Sequence, residues 1–194
     1  MNKELDRYGL WEGINEVIVT TLSALGKPNA APIGMIRRDG KLMVRVYKGS
    51  QTYTNIGDTG LLAANMVYDP VLFVRSALSD VAEEVFAFIK TDTGEDFPVI
   101  TDCSAWMLLR AEHNNGSNVL VAELHPIIGN INHQTIRPIN RAFNAVIEAV
   151  VLATRYKVFV NDKYLSQIKS YSSIISKCGG STEKEAYDLI FKLI

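Results

Sequence analysis

The chain has 194 residues and a formal net charge of −1. That length suffices for one substantial core, or for a barrel with a helical appendix, and the charge lacks the basic excess of a nucleic-acid binder. Hydrophobic residues make up 47%, yet the apolar runs are short and broken by charge, so neither a transmembrane span nor a membrane partner is expected. Asn2-Lys3-Glu4-Leu5-Asp6-Arg7 leads into polar sequence rather than the apolar segment of a signal peptide, and Cys103 and Cys178 have no Cys or His at ligand spacing. Together these features predict a cytoplasmic protein with free, reduced thiols and no metal site.

Val17 to Leu22 is a β-branched run, Gly26-Lys27-Pro28-Asn29 a turn cluster, and Ala30 to Ile36 a second extended run, which reads as two strands joined by a tight connection. Asp39-Gly40 supplies the φ > 0 pair of a two-residue hairpin. Beyond it Leu42, Val44 and Val46 alternate with Met43, Arg45 and Tyr47, an apolar face backed by a polar one. The apolar residues from Val71 to Lys90 fit neither period cleanly, and a short helix is favoured for part of that stretch. Ala105 to Ala111 and Val119 to Leu124 are strand-like runs joined through Asn114-Asn115-Gly116-Ser117, an Asn-Gly hairpin signal that would complete a small β-barrel.

The chain changes character near Pro126, and the stretch from Pro126 to Arg137 is the best boundary, with residues 1–126 as the barrel domain and 127–194 as a three-helix subdomain. From Pro138 onward Phe143, Val146, Ile147, Val150 and Val151 form one broad stripe of helical period. A second helix starts at Asn161-Asp162, carries Leu165, Ile168 and Ile175, and stops at Cys178-Gly179-Gly180. The third opens on a capping box, Thr182 with Glu185. The sequence contains no dinucleotide-binding glycine fingerprint, phosphate-binding P-loop, zinc-protease helix motif or nucleophile elbow. His113, His125 and His133 pair with no candidate nucleophile, so they read as surface or structural residues, and no catalytic residue is assigned.

The polar residues on the barrel half come in a particular order: Thr20-Thr21, then Asn29-Ala30-Ala31-Pro32, then Gly49-Ser50-Gln51-Thr52 with Asn55-Ile56, and finally Asn65. This succession resembles the FMN-binding split barrels, the superfamily of flavin-reductase-like proteins and pyridoxamine-phosphate oxidases. Within it the chain is similar to an uncharacterised, largely archaeal family, domain of unknown function 447, which also matches Glu12-Gly13-Ile14-x-Glu16, Asn140-Arg141-Ala142, Ile147-Glu148-Ala149 and Ala153-Thr154-Arg155. The resemblance implies a mainly β fold with α, a Greek-key split β-barrel followed by a C-terminal helical subdomain. It also implies FMN as cofactor and a homodimer paired across a large β interface, to which Arg45 and Tyr47 would contribute. The pyridoxamine-phosphate oxidase branch is disfavoured, because the Arg and Lys cluster for a second phosphate is not evident.

FMN carries a dianionic phosphate at one end and a flat, amphipathic ring at the other. A helix N-terminus offers unpaired N–H groups and a favourable dipole for the phosphate, and Gly49 to Thr52 fits that need, with Ser50 and Thr52 as hydroxyl donors, Asn55 in the same turn and Lys48 as counter-charge. The plainer reading of Ser50 or Thr52 is an N-cap. For the ring edge and ribityl hydroxyls, Val19, Thr20, Thr21, Asn29, Ala30, Ala31 and Pro32 offer a strand wall with small side chains. Strand propensity of threonine and a turn role for Asn29 are the alternatives.

Arg141, Asn144, Glu148 and Arg155 lie along one helix face. They form either a solvated stripe with intrahelical ion pairing or, by the resemblance, a brace against the barrel or a lining of a partner's flavin pocket. The function expected is an FMN-dependent oxidoreductase acting on a small electron donor or acceptor. The competing class is a flavin-binding carrier, sensor or scaffold without turnover, and a barrel that has lost its cofactor is a third.

Overall fold

A computed structural model describes residues 2–113, 118–134 and 136–194. The first compact unit comprises residues 1–68 and 81–135, and the second residues 69–80 and 136–194.

In the first unit, helix α1 (Asn2–Arg7) is followed by β1 (Gly13–Leu22), β2 (Pro28–Arg38), β3 (Lys41–Tyr47), helix α2 (Gln51–Thr59) and β4 (Leu61–Met66). After an excursion into the other unit come β5 (Phe86–Lys90), β6 (Asp96–Ile100), β7 (Ala105–His113) and β8 (Val119–Ile131). Six strands close an antiparallel barrel in the order β1-β2-β3-β8-β7-β4, while β5 and β6 form a separate hairpin. Asp39 and Gly40 turn β2 into β3 with φ of 52° and 75°, as the hairpin signal predicts. Asn115-Gly116 lies outside the described residues, although β7 and β8 pair antiparallel on either side of it.

Along β3 the burial alternates as the sequence predicts, with Leu42, Val44 and Val46 inside. β1 departs from this pattern, because Val17, Ile18, Val19, Thr20 and Thr21 are all buried. Val17 and Val19 join the barrel core with Met35, Leu62, Ala64, Met107 and Leu109. On the opposite face of the pleat the β5–β6 hairpin lies over β1, and Thr20 Oγ1 donates to the Pro98 carbonyl at 2.6 Å. Leu5 and Leu10, on and just after α1, are fully buried in the same core. Arg37 fastens this segment to the barrel by pairing with Asp6 and donating to the Leu10 carbonyl. Gly129 makes room for it too, since a Cβ there would lie 2.9 Å from the Tyr8 ring and from the Trp106 carbonyl.

β8 does not end at Pro126. It continues to Ile131, and the pairing with β7 skips Ile127 between Leu109↔Pro126 and Leu108↔Ile128. A proline has no N–H for a ladder, which makes it look like a strand end, but a β-bulge absorbs the missing donor and lets the strand run on.

The second unit gathers α3 (Pro70–Leu78) with α4 (Arg141–Phe159), α5 (Asp162–Ser170), α6 (Ser172–Cys178) and α7 (Ser181–Leu193). The ambiguous Val71–Lys90 stretch thus divides between a helix of this unit and a strand of the other. Asp69 caps α3 by accepting from the Val71 and Leu72 amides, with Pro70 in the first turn. The core is Val74, Leu78, Ala142, Ala145, Val146, Ala149, Val150, Ala153, Ile168, Ile175, Ala186 and Ile190. On α4 the alanines make the seam, and Val151 from the predicted stripe faces outward instead. The predicted second helix is broken at Tyr171 into α5 and α6. The cap of α7 falls two residues earlier than Thr182–Glu185, where Glu183 Oε2 accepts from the Gly180 amide at 2.8 Å.

Candidate functional site

The pleat of β1 and β2 sorts the candidate wall into two faces. Val19 pairs with Ala31 and Thr21 with Asn29, while Thr20 pairs with Ala30 and Ile18 with Pro32. Val19 belongs to the barrel core, so Thr21, Asn29 and Ala31 share that inner face. Thr20, Ala30 and Pro32 look the other way.

At the inner-face end of the two strands, α2 brings its first turns alongside. Thr21, Thr52 and Asn55 are almost wholly buried, at 0%, 2% and 0% exposure, and they are stitched together. Asn55 Nδ2 donates to Thr21 Oγ1 at 2.9 Å, and Asn29 Nδ2 donates to Thr52 Oγ1 at 3.2 Å and to Thr21 Oγ1 at 3.5 Å. Gln51 Nε2 donates to Asn55 Oδ1 at 2.6 Å, and the Asn55 carbonyl accepts from Thr59 Oγ1 at 2.8 Å. A buried amide left unpaired would cost about 1–3 kcal/mol, so this mesh fixes the angle at which α2 leaves the barrel. The Thr21 and Thr52 oxygens act here as acceptors, which leaves each hydroxyl proton available to donate.

Ser50 is the N-cap of α2, with extended backbone (φ −87°, ψ 149°). Its Oγ accepts from the Tyr53 amide at 3.2 Å and donates to the Tyr47 carbonyl at 3.0 Å. The cap reading therefore describes Ser50, and its hydroxyl proton is already committed. Geometry leaves the amides at the start of a helix without intrahelical acceptors, so Gln51 and Thr52 present N–H groups at the positive end of the helix dipole. Gly49 precedes them with φ +95°, a conformation natural to glycine, and Lys48 is exposed beside it. These donors, the Thr52 hydroxyl and the Lys48 charge fit a terminal phosphate.

The outer-face residues do something else. Asn65 Nδ2 donates to the Ile18 carbonyl at 2.9 Å and to Thr20 Oγ1 at 3.1 Å, and its Oδ1 accepts from the Ile100 amide at 2.8 Å. Thr20 and Asn65 thus clamp the β5–β6 hairpin to the barrel. Thr20 is separated by the strand itself from the Thr21 cluster.

Gln51 is the member of the mesh that sequence reasoning missed as a side chain. Its signal was the Gln–Asn pair four residues apart on a helix. His133 lies on the surface as expected, with its Nε2 3.3 Å from Ser104 Oγ. The pair is exposed, and the Ser104 amide is taken by the Met66 carbonyl, which leaves no oxyanion donor at the serine itself. His125 meets Glu112 at 3.2 Å on the surface. Burial raises the Cys103 thiol to about 11, so it is inert near neutral pH.

In the helical unit Asn140 caps α4, accepting from the Ala142 and Phe143 amides at 2.9 and 3.4 Å. It donates to Glu183 Oε1 at 3.2 Å, which ties the starts of α4 and α7 together. Arg141, Asn144, Glu148 and Arg155 are all exposed.

The closed barrel with its side hairpin and capping helix is a split β-barrel. Flavoredoxin from Methanosarcina acetivorans shares this fold, with 17% identity and a TM-score of 0.50 over 64% of this chain and 72% of its own. The chain belongs to the family described as protein of unknown function DUF447: its N-terminal domain model matches residues 15–133 and its second model residues 140–192. The FMN-bound protein MM1853 from Methanosarcina mazei is 41% identical and superposes with a TM-score of 0.91, covering 98% of this chain and 100% of its own. An uncharacterised protein of Methanocaldococcus jannaschii, MJ1453, is 27% identical over 191 residues, covering 92% of this chain and 97% of its own.

Proposed function

We propose that the chain binds FMN, with the phosphate on the first-turn amides of α2 and the Thr52 hydroxyl, Lys48 nearby as counter-charge, and the flavin edge toward Thr21, Asn29 and Ala31. The observation that carries this reading is the relative described as FMN-bound, similar along the whole chain, taken with the buried Thr21–Asn29–Thr52–Asn55 mesh at a helix N-terminus. Asn29 and Asn55 act as positioning residues, since they hold Thr21 and Thr52 with their protons free.

We further propose an FMN-dependent oxidoreductase that passes electrons between a small donor and a small acceptor. When bound, the flavin supplies the hydride and electron chemistry, and the protein's part is to hold it, orient it and set its surroundings. A homodimer fits the outer face of β3 and β8, where Tyr47 is 68% and Val121 50% exposed and Arg45 stands directly across from Val121. The two free cysteines support a reducing compartment such as the cytoplasm.

The test is anaerobic mixing of the FMN-loaded protein with NADH, NADPH and a reduced deazaflavin. An oxidoreductase loses its oxidised-flavin absorbance within a catalytic timescale with at least one donor. If none reduces it although dithionite does so completely and reversibly, a flavin-binding carrier or sensor becomes the better description.

A further inference from the structure

The outward face of α4 carries a pattern that the chain itself does not use. Arg141, Asn144, Glu148, Val151, Arg155 and Val158 recur at alternating steps of three and four, the spacing of a coiled-coil seam, and all six are exposed. Val151 and Val158 are 36% and 71% exposed, and Phe159 at the end of the helix is 66% exposed. The opposite face is already spent on the unit's core through Ala142, Ala145, Val146, Ala149, Val150 and Ala153.

The charges on this stripe cannot satisfy one another. Arg141, Glu148 and Arg155 stand seven residues apart, about 10.5 Å along the axis, far beyond an ion pair. Among the described residues none of the ion pairs lies on α4. The intrahelical pairing expected of a solvated stripe is therefore absent by geometry. The order plus, minus, plus reads the same in either direction, so a second copy complements it only when displaced by one heptad, which sets Glu148 against an arginine.

We propose that α4 packs antiparallel against α4 of a second copy, about a two-fold axis beside Val151 and Leu152. In that register Glu148 lies opposite Arg155 of the second copy, and the symmetry repeats the pair. Val151 sits next to its own counterpart, and the Phe159 end covers Asn144 across the seam. A parallel in-register pairing instead brings Arg141, Glu148 and Arg155 each against its like charge. An antiparallel pairing centred near Asn144 matches Arg141 with Glu148 but leaves Val151, Arg155 and Val158 uncovered. One helix pair of this length covers a few hundred Å² per copy, against roughly 800 Å² in a standard interface, so by itself it gives a weak, concentration-dependent association. It is a separate contact from the β3–β8 homodimer read above.

The full chain, with Cys178→Ser to remove the more accessible thiol, tests it by oxidative crosslinking. With Glu148→Cys and Arg155→Cys introduced together, the covalent dimer should form readily. With Arg141→Cys and Glu148→Cys it should not. Glu148→Arg should weaken self-association by tenfold or more in sedimentation equilibrium, and adding Arg155→Glu should restore most of it. Dimers by light scattering that neither crosslink through 148 and 155 nor respond to charge reversal would overturn the α4 contact and leave the homodimer standing. A monomer at every concentration would overturn both.

Discussion

Thr20 and Thr21 are adjacent in the chain, yet the pleat gives them opposite tasks. Thr20 Oγ1 binds the Pro98 carbonyl under the β5–β6 hairpin, whereas Thr21 sits with Asn55 at the start of α2. Thr20→Val should therefore lower stability by about 1 kcal/mol, the usual net worth of a hydrogen bond, with FMN affinity unchanged. Thr52→Ala should also lower stability, because Asn29 Nδ2 loses its nearer acceptor, but unlike Thr20→Val it should raise the dissociation constant for FMN several-fold. Titration of both variants separates the two, and equal loss of affinity in both would undo the division into inner and outer faces. Cys103 gives a pH-dependent counterpart. Its thiol titrates near 11 in the fold against an ordinary value of 9.0. Below pH 9 both folded and unfolded states keep the proton. Between pH 9 and 11 only the unfolded state releases it, so stability falls as pH rises through that window. The melting temperatures of the native chain and of Cys103→Ala should run parallel below pH 9 and converge above it.

At the scale of elements, what was legible in the sequence was whatever depends on local chemistry. The Asp39-Gly40 turn, the alternation of β3 and the Ser50 start of α2 follow from backbone preference and side-chain period, and the structure has them in place. What was not legible depends on a neighbour distant in the chain. β1 reads only as a β-branched run, and both its faces are buried because β6 arrives over Thr20 from some eighty residues further on. The last strand reads as ending at Leu124, but a bulge in β8 accommodates Pro126 and carries the strand to Ile131, and the division between the units falls at 135/136. Thr182 with Glu185 has the right spacing for a capping box, yet Gly180 and Glu183 hold the cap, with Asn140, the cap of α4, fixing the Glu183 carboxylate. In the candidate site, the helix start could be read from Ser50, while the Asn29 link to Thr52 needed the fold to bring residues 23 apart within 3.2 Å. One element also carries strain. Val160 ends α4 with φ +46° and ψ 49°, a left-handed conformation that costs a β-branched residue about 1–2 kcal/mol. Val160→Gly should raise the melting temperature by roughly 2–4 °C. Calorimetry reads this directly, and a lower value would mean that the exposed valine makes contacts worth more than the strain.

For the whole molecule, the division of labour is between a barrel that supplies a rigid wall and a short helix whose first turn faces its inner-face end. A flavin needs both, one for the ring and one for the phosphate, and the buried mesh of Thr21, Asn29, Thr52 and Asn55 couples them. That coupling is the central claim, because it assigns the phosphate rather than the ring to α2. The direct measurement is a pair of fluorescence titrations of the apoprotein, one with FMN and one with riboflavin, which differ only in the phosphate. The account predicts at least tenfold tighter binding of FMN, about 1.4 kcal/mol or more, with most of the difference lost in Thr52→Ala. Equal affinity for the two flavins in the native chain would contradict it.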